Sequence, residues 1–302
     1  MSEKISTANG SLNVPSNVPS VNFHLWEPCN MKCGFCFATF QDVKREMNLP
    51  KGHIPKEKSL SVVDRIAAFG FEKINFAGGE PTLCPWLPEL ITRAKQHGMT
   101  TSIISNGSRI DDAWLKSLNG TLDWIGLSID TVDPEKLVAL GRAIGGKTPI
   151  SEEQYLATIE LVKQHGIRLK INTVVNSVTW REDFTRFIRS AAPERWKLLQ
   201  ALPVKGQNDE KIDDFIITDA RFEAYVQWNR TVEADGIQVV PENNEAMTES
   251  YIMIDPAGRF YDNAQGYHTY SDPILEVGVS KALKQVSIDV EQFRRRGGVY
   301  DW

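Results

Sequence analysis

The sequence predicts an α/β protein, built as a partial (βα)6 barrel with an N-terminal extension and a C-terminal β-hairpin and tail. Between residues 21 and 236, short apolar strands alternate with amphipathic helices. This alternation is typical of parallel strands joined by crossover helices. The length of 302 residues suits a single α/β barrel. Six βα units are too few for a closed barrel of eight strands, so we expect an open one.

Each predicted strand has a continuous apolar face, and most of the predicted helices stop at or near a glycine. The predicted strands are 21–26, 72–76, 100–105, 122–129, 168–175 and 196–202. The predicted helices are 59–69, 86–97, 111–118, 151–164, 181–190 and 219–233.

The two ends of the chain differ from this pattern. Residues 1–20 are rich in Ser, Asn and Pro, which predicts a disordered segment. In residues 237–302, short strands at 237–240 and 251–254 precede the turn sequence Asp255-Pro256-Ala257-Gly258, which predicts a hairpin. We expect this C-terminal extension to pack over the mouth of the barrel.

Composition excludes several classes of partner. The net charge of −5 argues against general affinity for nucleic acid or anionic membranes. No stretch approaches the roughly 18 apolar residues of a membrane span, and residues 1–20 lack the features of a signal peptide. Three of the four cysteines fall within eight positions, which suits a reducing compartment better than a disulfide framework. We therefore expect a cytoplasmic protein that binds neither membranes nor nucleic acid.

Those three cysteines, Cys29, Cys33 and Cys36, have the spacing C-x3-C-x2-C. Cysteine thiolates are the usual ligands of iron–sulfur clusters. In a cluster of four irons, three thiolates leave one iron open for chemistry on a small molecule, whereas a structural zinc site has four ligands. A zinc knuckle that takes His24 or Cys84 as its fourth ligand is the alternative.

Basic residues repeat with the period of a strand at three places. In the second strand, Lys73 and Asn75 share one face. In the fifth strand, Lys170 shares a face with Asn172, and in the sixth strand Arg195 shares a face with Lys197. The opposite faces are apolar and should pack under helices, so the basic faces should point into the barrel. Several buried cations need an anion. This pattern predicts a di- or triphosphate ligand, with solvent-exposed strand ends as the alternative.

The cysteine spacing with an aromatic at Phe35, together with Gly78-Gly79-Glu80-Pro81 after a strand, resembles the radical S-adenosylmethionine (SAM) superfamily. Further strings resemble the viperin family within it, and the match extends from about residue 20 to residue 302. Members from eukaryotes carry an amphipathic membrane-binding helix that this sequence lacks, so it resembles a soluble member. The matching strings are Val-Asn-Phe-His (21–24), Lys-Ile-Asn-Phe-Ala-Gly-Gly-Glu-Pro (73–81), Ser-Asn-Gly-Ser (105–108), Lys-Ile-Asn (170–172), Arg-Trp-Lys (195–197), Asp-Pro-Ile-Leu-Glu-Val-Gly-Val (272–279) and the Arg-Gly-Gly-Val-Tyr near the end.

The resemblance implies a [4Fe–4S] cluster and SAM as cofactors, with Cys29, Cys33 and Cys36 as the cluster ligands. It implies nucleotide binding by Asn22, Lys73, Lys170, Asn172, Arg195 and Lys197, with Lys73 and Asn22 at the ribose. Tyr251 and Lys73 would be the catalytic residues near the reacting sugar. The SAM-binding residues would be Phe35, Phe37, Gly78, Gly79, Glu80, Ser105, Ser128 and Arg142.

Viperins act on a nucleoside triphosphate, and the resemblance implies the same reaction here. The 5′-deoxyadenosyl radical takes hydrogen from C4′, and loss of the 3′-hydroxyl with one electron and one proton gives the 3′-deoxy-3′,4′-didehydro nucleotide, an antiviral chain terminator. A flavodoxin- or ferredoxin-type protein would supply the electron. Ala77 and Asp262-Asn263-Ala264 depart from animal viperins, so CTP, UTP and GTP all stay open as the substrate.

Two other functions stay open from the sequence. One is a different radical SAM reaction, such as cofactor maturation or peptide modification. The other is a metal-containing scaffold without turnover. The lack of a second cysteine cluster and the basic strand faces favour the nucleotide enzyme over the other radical SAM reaction, and anaerobic reconstitution would distinguish the scaffold.

Overall fold

One ten-stranded sheet organises the computed structural model, which describes residues 17–49 and 51–302. The order across the sheet is β10-β9-β8-β1-β2-β3-β4-β5-β6-β7, and β1 to β7 are parallel neighbours in chain order. The two edges of the sheet are β10 and β7, so the predicted open α/β barrel is confirmed. The strands are β1 (Ser20–Trp26), β2 (Lys73–Gly78), β3 (Thr100–Ser105), β4 (Trp124–Ser128), β5 (Arg168–Val175), β6 (Arg195–Gln200), β7 (Gln238–Glu242), β8 (Met253–Ile254), β9 (Arg259–Asp262) and β10 (Thr269–Pro273).

The helices connect successive strands of this sheet, as the alternating pattern predicts. Short 3₁₀ turns at Pro81–Leu83, Ile212–Asp214 and Arg230–Asp235 complete the connections. The α-helices are α1 (Gln41–Glu46), α2 (Lys56–Phe69), α3 (Leu87–Gln96), α4 (Asp112–Ser117), α5 (Pro134–Ala139), α6 (Glu152–Gln164), α7 (Thr185–Ala191), α8 (Asp219–Asn229), α9 (Asn244–Met247), α10 (Ile274–Val277), α11 (Val279–Leu283) and α12 (Val290–Arg295).

The parallel part of the sheet extends further than the six predicted strands. β7 pairs in parallel with β6, so the segment assigned from the sequence to the C-terminal extension adds a seventh parallel strand. The predicted turn at 255–258 does join two antiparallel strands, β8 and β9. The carboxylate of Asp255 fixes this turn by accepting hydrogen bonds from the amides of Ala257 (2.9 Å) and Arg259 (2.8 Å).

The hydrophobic core lies between the sheet and the helices. Ile74, Phe76 and Ile171 have no solvent-exposed surface, and they project from the face of the sheet that the helices cover. The residues between them, such as Lys73 and Asn172, project to the other face and line a cavity. The division into an apolar and a basic face is therefore as predicted.

The first described residues already belong to the fold. Val18 is buried and β1 begins at Ser20, inside the segment predicted to be disordered, while residues 1–16 of that segment lie outside the described residues. Throughout the described chain, the helices are too short or too polar to cross a membrane.

The end of the chain does not lie where the sequence predicts. The C-terminal extension is expected to pack over the barrel mouth, but its last residues pack elsewhere. Tyr300 contacts Lys73 and Arg195, the first residues of β2 and β6, and packs against Trp124, the first residue of β4. These are the amino-terminal ends of the strands, at the opposite end from the cysteine loop. Basic side chains gathered there attract the electron-rich face of an aromatic ring, and this accounts for the location.

Candidate active site

A single cavity of about 310 Å³ brings the predicted site residues together. The cysteine loop and the loop after β2 form its rim, and the basic strand faces form its floor. All of the predicted metal, cofactor, substrate and catalytic residues line it. They are Asn22, Cys29, Cys33, Phe35, Cys36, Phe37, Lys73, Gly78, Gly79, Glu80, Ser105, Ser128, Arg142, Lys170, Asn172, Arg195, Lys197 and Tyr251.

The cysteine loop is held in place by backbone hydrogen bonds to the segment after α5. The amide of Lys32 donates to the carbonyl of Gly141 (3.0 Å), and the amide of Gly34 donates to that of Leu140 (3.1 Å). Gly141 has φ of 73°, and a Cβ added there would lie 2.0 Å from the Lys32 carbonyl oxygen. Only glycine therefore allows this approach.

The three thiols lie at different depths around the rim. Cys29 is exposed, whereas Cys33 and Cys36 are partly buried. Although Cys29 is exposed as a residue, partial desolvation of its thiol raises its pKa to about 11, and burial raises the pKa of Cys36 to about 12. Both are protonated at neutral pH, so a metal that binds them as thiolates displaces protons. Cys84, the alternative zinc ligand, belongs instead to the hydrophobic core.

The carboxylate of Glu80 joins the loops that follow β2 and β3. It accepts hydrogen bonds from the Ser105 hydroxyl (2.8 Å), the Asn106 amide (2.8 Å) and the Thr82 amide (3.0 Å). Glu80 is 1% exposed, and burial raises its pKa. Glu80 and Ser105 thus both reach the cavity, but their side chains hold each other and the rim in place.

Gly78 and Gly79 bring the loop after β2 against the start of the cysteine loop. A Cβ on Gly79 would lie 2.2 Å from the carbonyl oxygen of Glu27 and 2.4 Å from that of Pro28, the residue before Cys29. The Glu80 amide donates to the Pro28 carbonyl (2.9 Å). The two rim loops therefore form one connected backbone surface.

Arg142 forms a buried ion pair with Asp130 below the rim. Asp130 also accepts a hydrogen bond from the amide of Val174 (2.7 Å), and the Arg142 guanidinium lies 5.6 Å from the ring centre of Phe35. Nε of the guanidinium is thereby engaged, and Arg142 as a residue lines the cavity. Ser128, the last residue of β4, lies on the same wall.

The floor carries an excess of positive charge. Among the described residues, five basic side chains meet there with one buried carboxylate, that of Glu242, which pairs with Lys197 (2.7 Å) and Arg296 (3.4 Å). Burial lowers the pKa of Lys73 to about 7 and that of Lys197 to about 8, although Glu242 opposes the second shift. The basic residues are Lys73, Lys170, Arg195, Lys197 and Arg296.

The tail covers part of this floor. Lys73 and Lys170 both donate hydrogen bonds to the hydroxyl of Tyr300, and the guanidinium of Arg195 lies 3.8 Å from the centre of its ring. The ring centre of Trp302 lies 4.8 Å from the Lys73 ammonium nitrogen. Aromatic rings and one hydroxyl thus partly compensate cations that lack carboxylate partners.

Tyr251 is fixed between charged groups on the wall beside the floor. Its hydroxyl donates to Glu242 and accepts from Lys197 (2.7 Å), and Arg296 lies 3.5 Å from its ring centre. Burial raises the pKa of Tyr251 well above its ordinary value, so it is a neutral phenol. Nearby, Asn75 donates to the side chain of Asn22 (3.0 Å).

Comparison with known proteins assigns the chain to a family. The radical SAM superfamily model matches residues 26–191. An S-adenosylmethionine-dependent nucleotide dehydratase from Flammeovirga pacifica is 48% identical over 285 residues, which are 94% of this chain and 96% of that protein. The chain belongs to this family.

Other members of the dehydratase family agree with this assignment. One from Lacinutrix mariniflava is 55% identical over 96% of the chain, which spans 60% of that protein's length. The dehydratase RSAD2 of Danio rerio is 33% identical, with 95% of this chain and 79% of that protein covered. The resemblance to viperins is thereby confirmed.

Solved structures of proteins with bound S-adenosylmethionine share the fold of this family member. Native anSMEcpe with bound AdoMet superposes with a TM-score of 0.68 at 18% identity, over 92% of this chain and 82% of that one. SuiB of Streptococcus suis bound to S-adenosylmethionine superposes with a TM-score of 0.60 at 16% identity, over 80% of this chain and 59% of that one. At such identities the similarity concerns the fold alone.

Radical SAM enzymes use a [4Fe–4S] cluster and SAM, and the residues of this dehydratase-family chain fit both. The three cysteines of the rim supply the thiolate set that such a cluster takes, and all three line the cavity. Gly78 and Gly79 also line the cavity, and their lack of side chains lets this loop pack directly against the backbone of Trp26 and Glu27, so main-chain atoms form this part of the cavity wall.

Sequence reasoning missed several residues of the site. Glu242 and Tyr300 reach the floor from β7 and the tail, and neither lies in a periodic pattern that marks a strand face. Arg296 was visible only as part of the terminal motif. His268 follows a polar turn without any signal, yet it lines the cavity together with His24.

Proposed function

We propose that this protein is a nucleoside triphosphate 3′-dehydratase that forms a 3′-deoxy-3′,4′-didehydro nucleotide. The observation that carries the proposal is the floor, where five basic side chains meet one carboxylate beneath a cysteine rim. Burial lowers the pKa of the lysines here, so this group of basic residues keeps its full positive charge only beside a polyanion, and a triphosphate supplies one. The names of the dehydratase relatives support the same reaction class.

In this proposal the cluster and SAM, when bound, supply the radical that takes the C4′ hydrogen. The cluster is held by Cys29, Cys33 and Cys36. The wall at Ser128 and Arg142 and the backbone at Gly78 and Gly79 hold SAM, while Phe35 and Phe37 flank the cluster loop. Glu80 and Ser105 keep these loops in register through their mutual hydrogen bond.

The residues of the floor bind and orient the nucleotide. Lys170, Asn172, Arg195 and Lys197 are assigned to the triphosphate, and Arg195 Nε, a donor, has no partner among the described residues. Asn22 is assigned to the ribose. Anchoring the phosphates deep in the cavity fixes the sugar at one height below the rim, which places C4′ for reaction.

Lys73 has the properties needed to supply a proton to the departing 3′-hydroxyl. Burial lowers its pKa to about 7 in the free protein, and the negative charge of the bound phosphates keeps the group protonated in the complex, so Lys73 holds the proton that the departing hydroxyl requires. Tyr251 is held beside the sugar by Glu242 and Lys197. The product has lost its 3′-hydroxyl and cannot be extended, so we infer a chain terminator that serves antiviral defence.

We also propose a small acidic electron donor of the flavodoxin or ferredoxin type. Cys29 is exposed, and three exposed cations that form no ion pair with other described residues lie around it, namely Lys32, Arg109 and Lys147. Hydrogen bonds from Asn30 to Ser108 (2.8 Å) and from Gly145 to Asn30 (2.9 Å) hold their segments together. Opposite charge would steer such a donor to this edge. A cytoplasmic location would supply both the donor and a reducing environment.

The test is anaerobic reconstitution with iron and sulfide, followed by reduction with dithionite in the presence of SAM and each ribonucleoside triphosphate in turn. We expect 5′-deoxyadenosine formation to rise at least about tenfold with one of them, together with a nucleotide product lighter by one water. Cleavage that no nucleotide changes would point to a different radical SAM reaction. Metal binding without SAM cleavage would indicate a scaffold.

A further inference from the structure

Two histidines form an uncharged wall of the cavity, away from the basic floor. His24 lies on β1 two residues after Asn22, and His268 lies just before β10. They are 7% and 8% exposed, and both line the cavity. Aromatic rings surround them: the ring of His24 is 5.4 Å from that of Phe40, and the ring of His268 is 4.7 Å from that of Tyr261.

Each of these histidines has a buried ring nitrogen without a partner among the described residues, Nδ1 of His24 and Nε2 of His268. Buried polar atoms in proteins are nearly always hydrogen-bonded. Two such atoms on one cavity wall indicate that a ligand completes their bonding. Both rings are neutral, because burial lowers the pKa of His24 to about 3 and that of His268 to about 4.

The surroundings of His268 decide what its free nitrogen can do. The hydroxyl of Tyr270 donates its proton to Asp42 (2.6 Å), so its 3.4 Å contact with Nδ1 of His268 requires the histidine to donate. A neutral imidazole that carries its proton on Nδ1 has a lone pair on Nε2. His268 therefore offers an acceptor to the cavity.

We propose that His268 and His24 bind the nucleobase of the substrate, with Nε2 of His268 accepting a hydrogen bond from an N–H on the base edge. This inference rests on the proposed function. The floor suits the phosphates and Asn22 suits the sugar, so the part left for the uncharged wall is a flat, neutral heterocycle. A base has this character, with an aromatic face for Phe37, which lines the cavity, and a polar edge for the imidazoles.

The wall also accounts for a base preference set by the C-terminal extension. His268 reaches the cavity from the segment between β9 and β10, and Asn263 of the same segment lines it too. Asn263 is occupied, because its side chain accepts from the Glu249 amide (3.1 Å). His268 is thus the residue of this segment that is free to contact a base.

The experiment compares nucleotides with and without the N–H group on the edge of the base. Reconstituted protein with SAM and without reductant is titrated calorimetrically with the preferred triphosphate and with its analogue that lacks the edge N–H. That analogue is the pyrimidin-2-one riboside triphosphate for CTP, 3-methyluridine triphosphate for UTP, inosine triphosphate for GTP or purine riboside triphosphate for ATP. Wild type should bind the parent at least about tenfold more tightly.

His268→Ala should bring this ratio close to 1 by weakening the parent alone, and His268→Gln, which keeps an acceptor, should restore part of it. His97→Ala, at a histidine that pairs with Asp64 (2.7 Å) on the surface, is the matched control and should leave the ratio unchanged. An unchanged ratio in His268→Ala, equal weakening of both nucleotides, or loss of SAM affinity instead would overturn the inference. Wild type that binds triphosphates without discrimination would refute the base contact and leave the proposed function standing, whereas no triphosphate binding would refute both.

Discussion

Lys73 shows how the proposed function depends on the environment of a single side chain. The residue is 3% exposed, and its ammonium has no carboxylate partner among the described residues and shares the Tyr300 hydroxyl with Lys170. Burial is the main cause of its low pKa, and the neighbouring cations Arg195 and Lys197 lower it further. A bound triphosphate would reverse both effects, because it brings negative charge to the same place.

Nucleotide affinity should therefore depend on pH. Lys73 and Lys197, with pKa values of about 7 and 8, lose their protons in the free protein as pH rises from 7 to 9. The complex keeps those protons to higher pH. The dissociation constant should accordingly rise over this range, by up to about tenfold per pH unit for each lysine that deprotonates.

Calorimetric titration without reductant, in buffers of different ionisation enthalpy, measures both the affinity and the proton uptake. Lys73→Arg is the control, since a guanidinium stays charged throughout and should flatten the first part of the curve. A dissociation constant that stays level from pH 7 to 9 would contradict the protonation of these lysines on binding.

At the scale of elements, the terminal tail is part of the site. Tyr300 packs its ring under Arg195 and its hydroxyl between two lysines, so the last residues of the chain complete the cavity floor. The tail lies at the amino-terminal ends of the strands. Its attachment there should depend on contacts with cations more than on burial of apolar surface.

Tyr300→Ala should lower the free energy of unfolding by about 1–3 kcal/mol in the absence of nucleotide, because three cations lose an aromatic or hydroxyl partner. Tyr300→Phe keeps the ring and should lose roughly half as much. Tyr267→Ala, at a tyrosine that is 45% exposed, should change stability by under about 0.5 kcal/mol. Urea unfolding followed by circular dichroism gives the values, and a Tyr300→Ala variant as stable as wild type would show that the tail does not hold the floor.

The alternating strand faces made much of the site visible in the sequence. Lys73, Lys170 and Arg195 were placed inside the cavity because the period of two is a local property. The position of His268 depends on how β8, β9 and β10 fold back beside β1, and Tyr300 depends on where a tail without regular structure ends. Such positions result from tertiary packing and have no local signal.

At the scale of the whole molecule, the fold does not depend on the metal site. The sheet buries its apolar face under the helices, and the cysteine loop is held by backbone hydrogen bonds to the segment after α5. This differs from a zinc finger, in which the metal supplies the folding free energy.

Removal of the cluster with a chelator should therefore preserve the far-ultraviolet circular dichroism spectrum and lower the melting temperature by no more than about 10 °C. A variant with Cys29, Cys33 and Cys36 all changed to serine should melt close to the chelated protein, which serves as its control. Collapse of the spectrum on chelation would instead favour a structural metal site.

The hydrogen bonds around Glu80 also bear on how the molecule can diversify. They lock the two rim loops into one rigid block, so the surroundings of the radical chemistry tolerate little change. The wall that contains His268 comes from a hairpin outside that block. Under the proposed base contact, substitutions in the hairpin would exchange one substrate preference for another, while the reactive machinery is inherited intact.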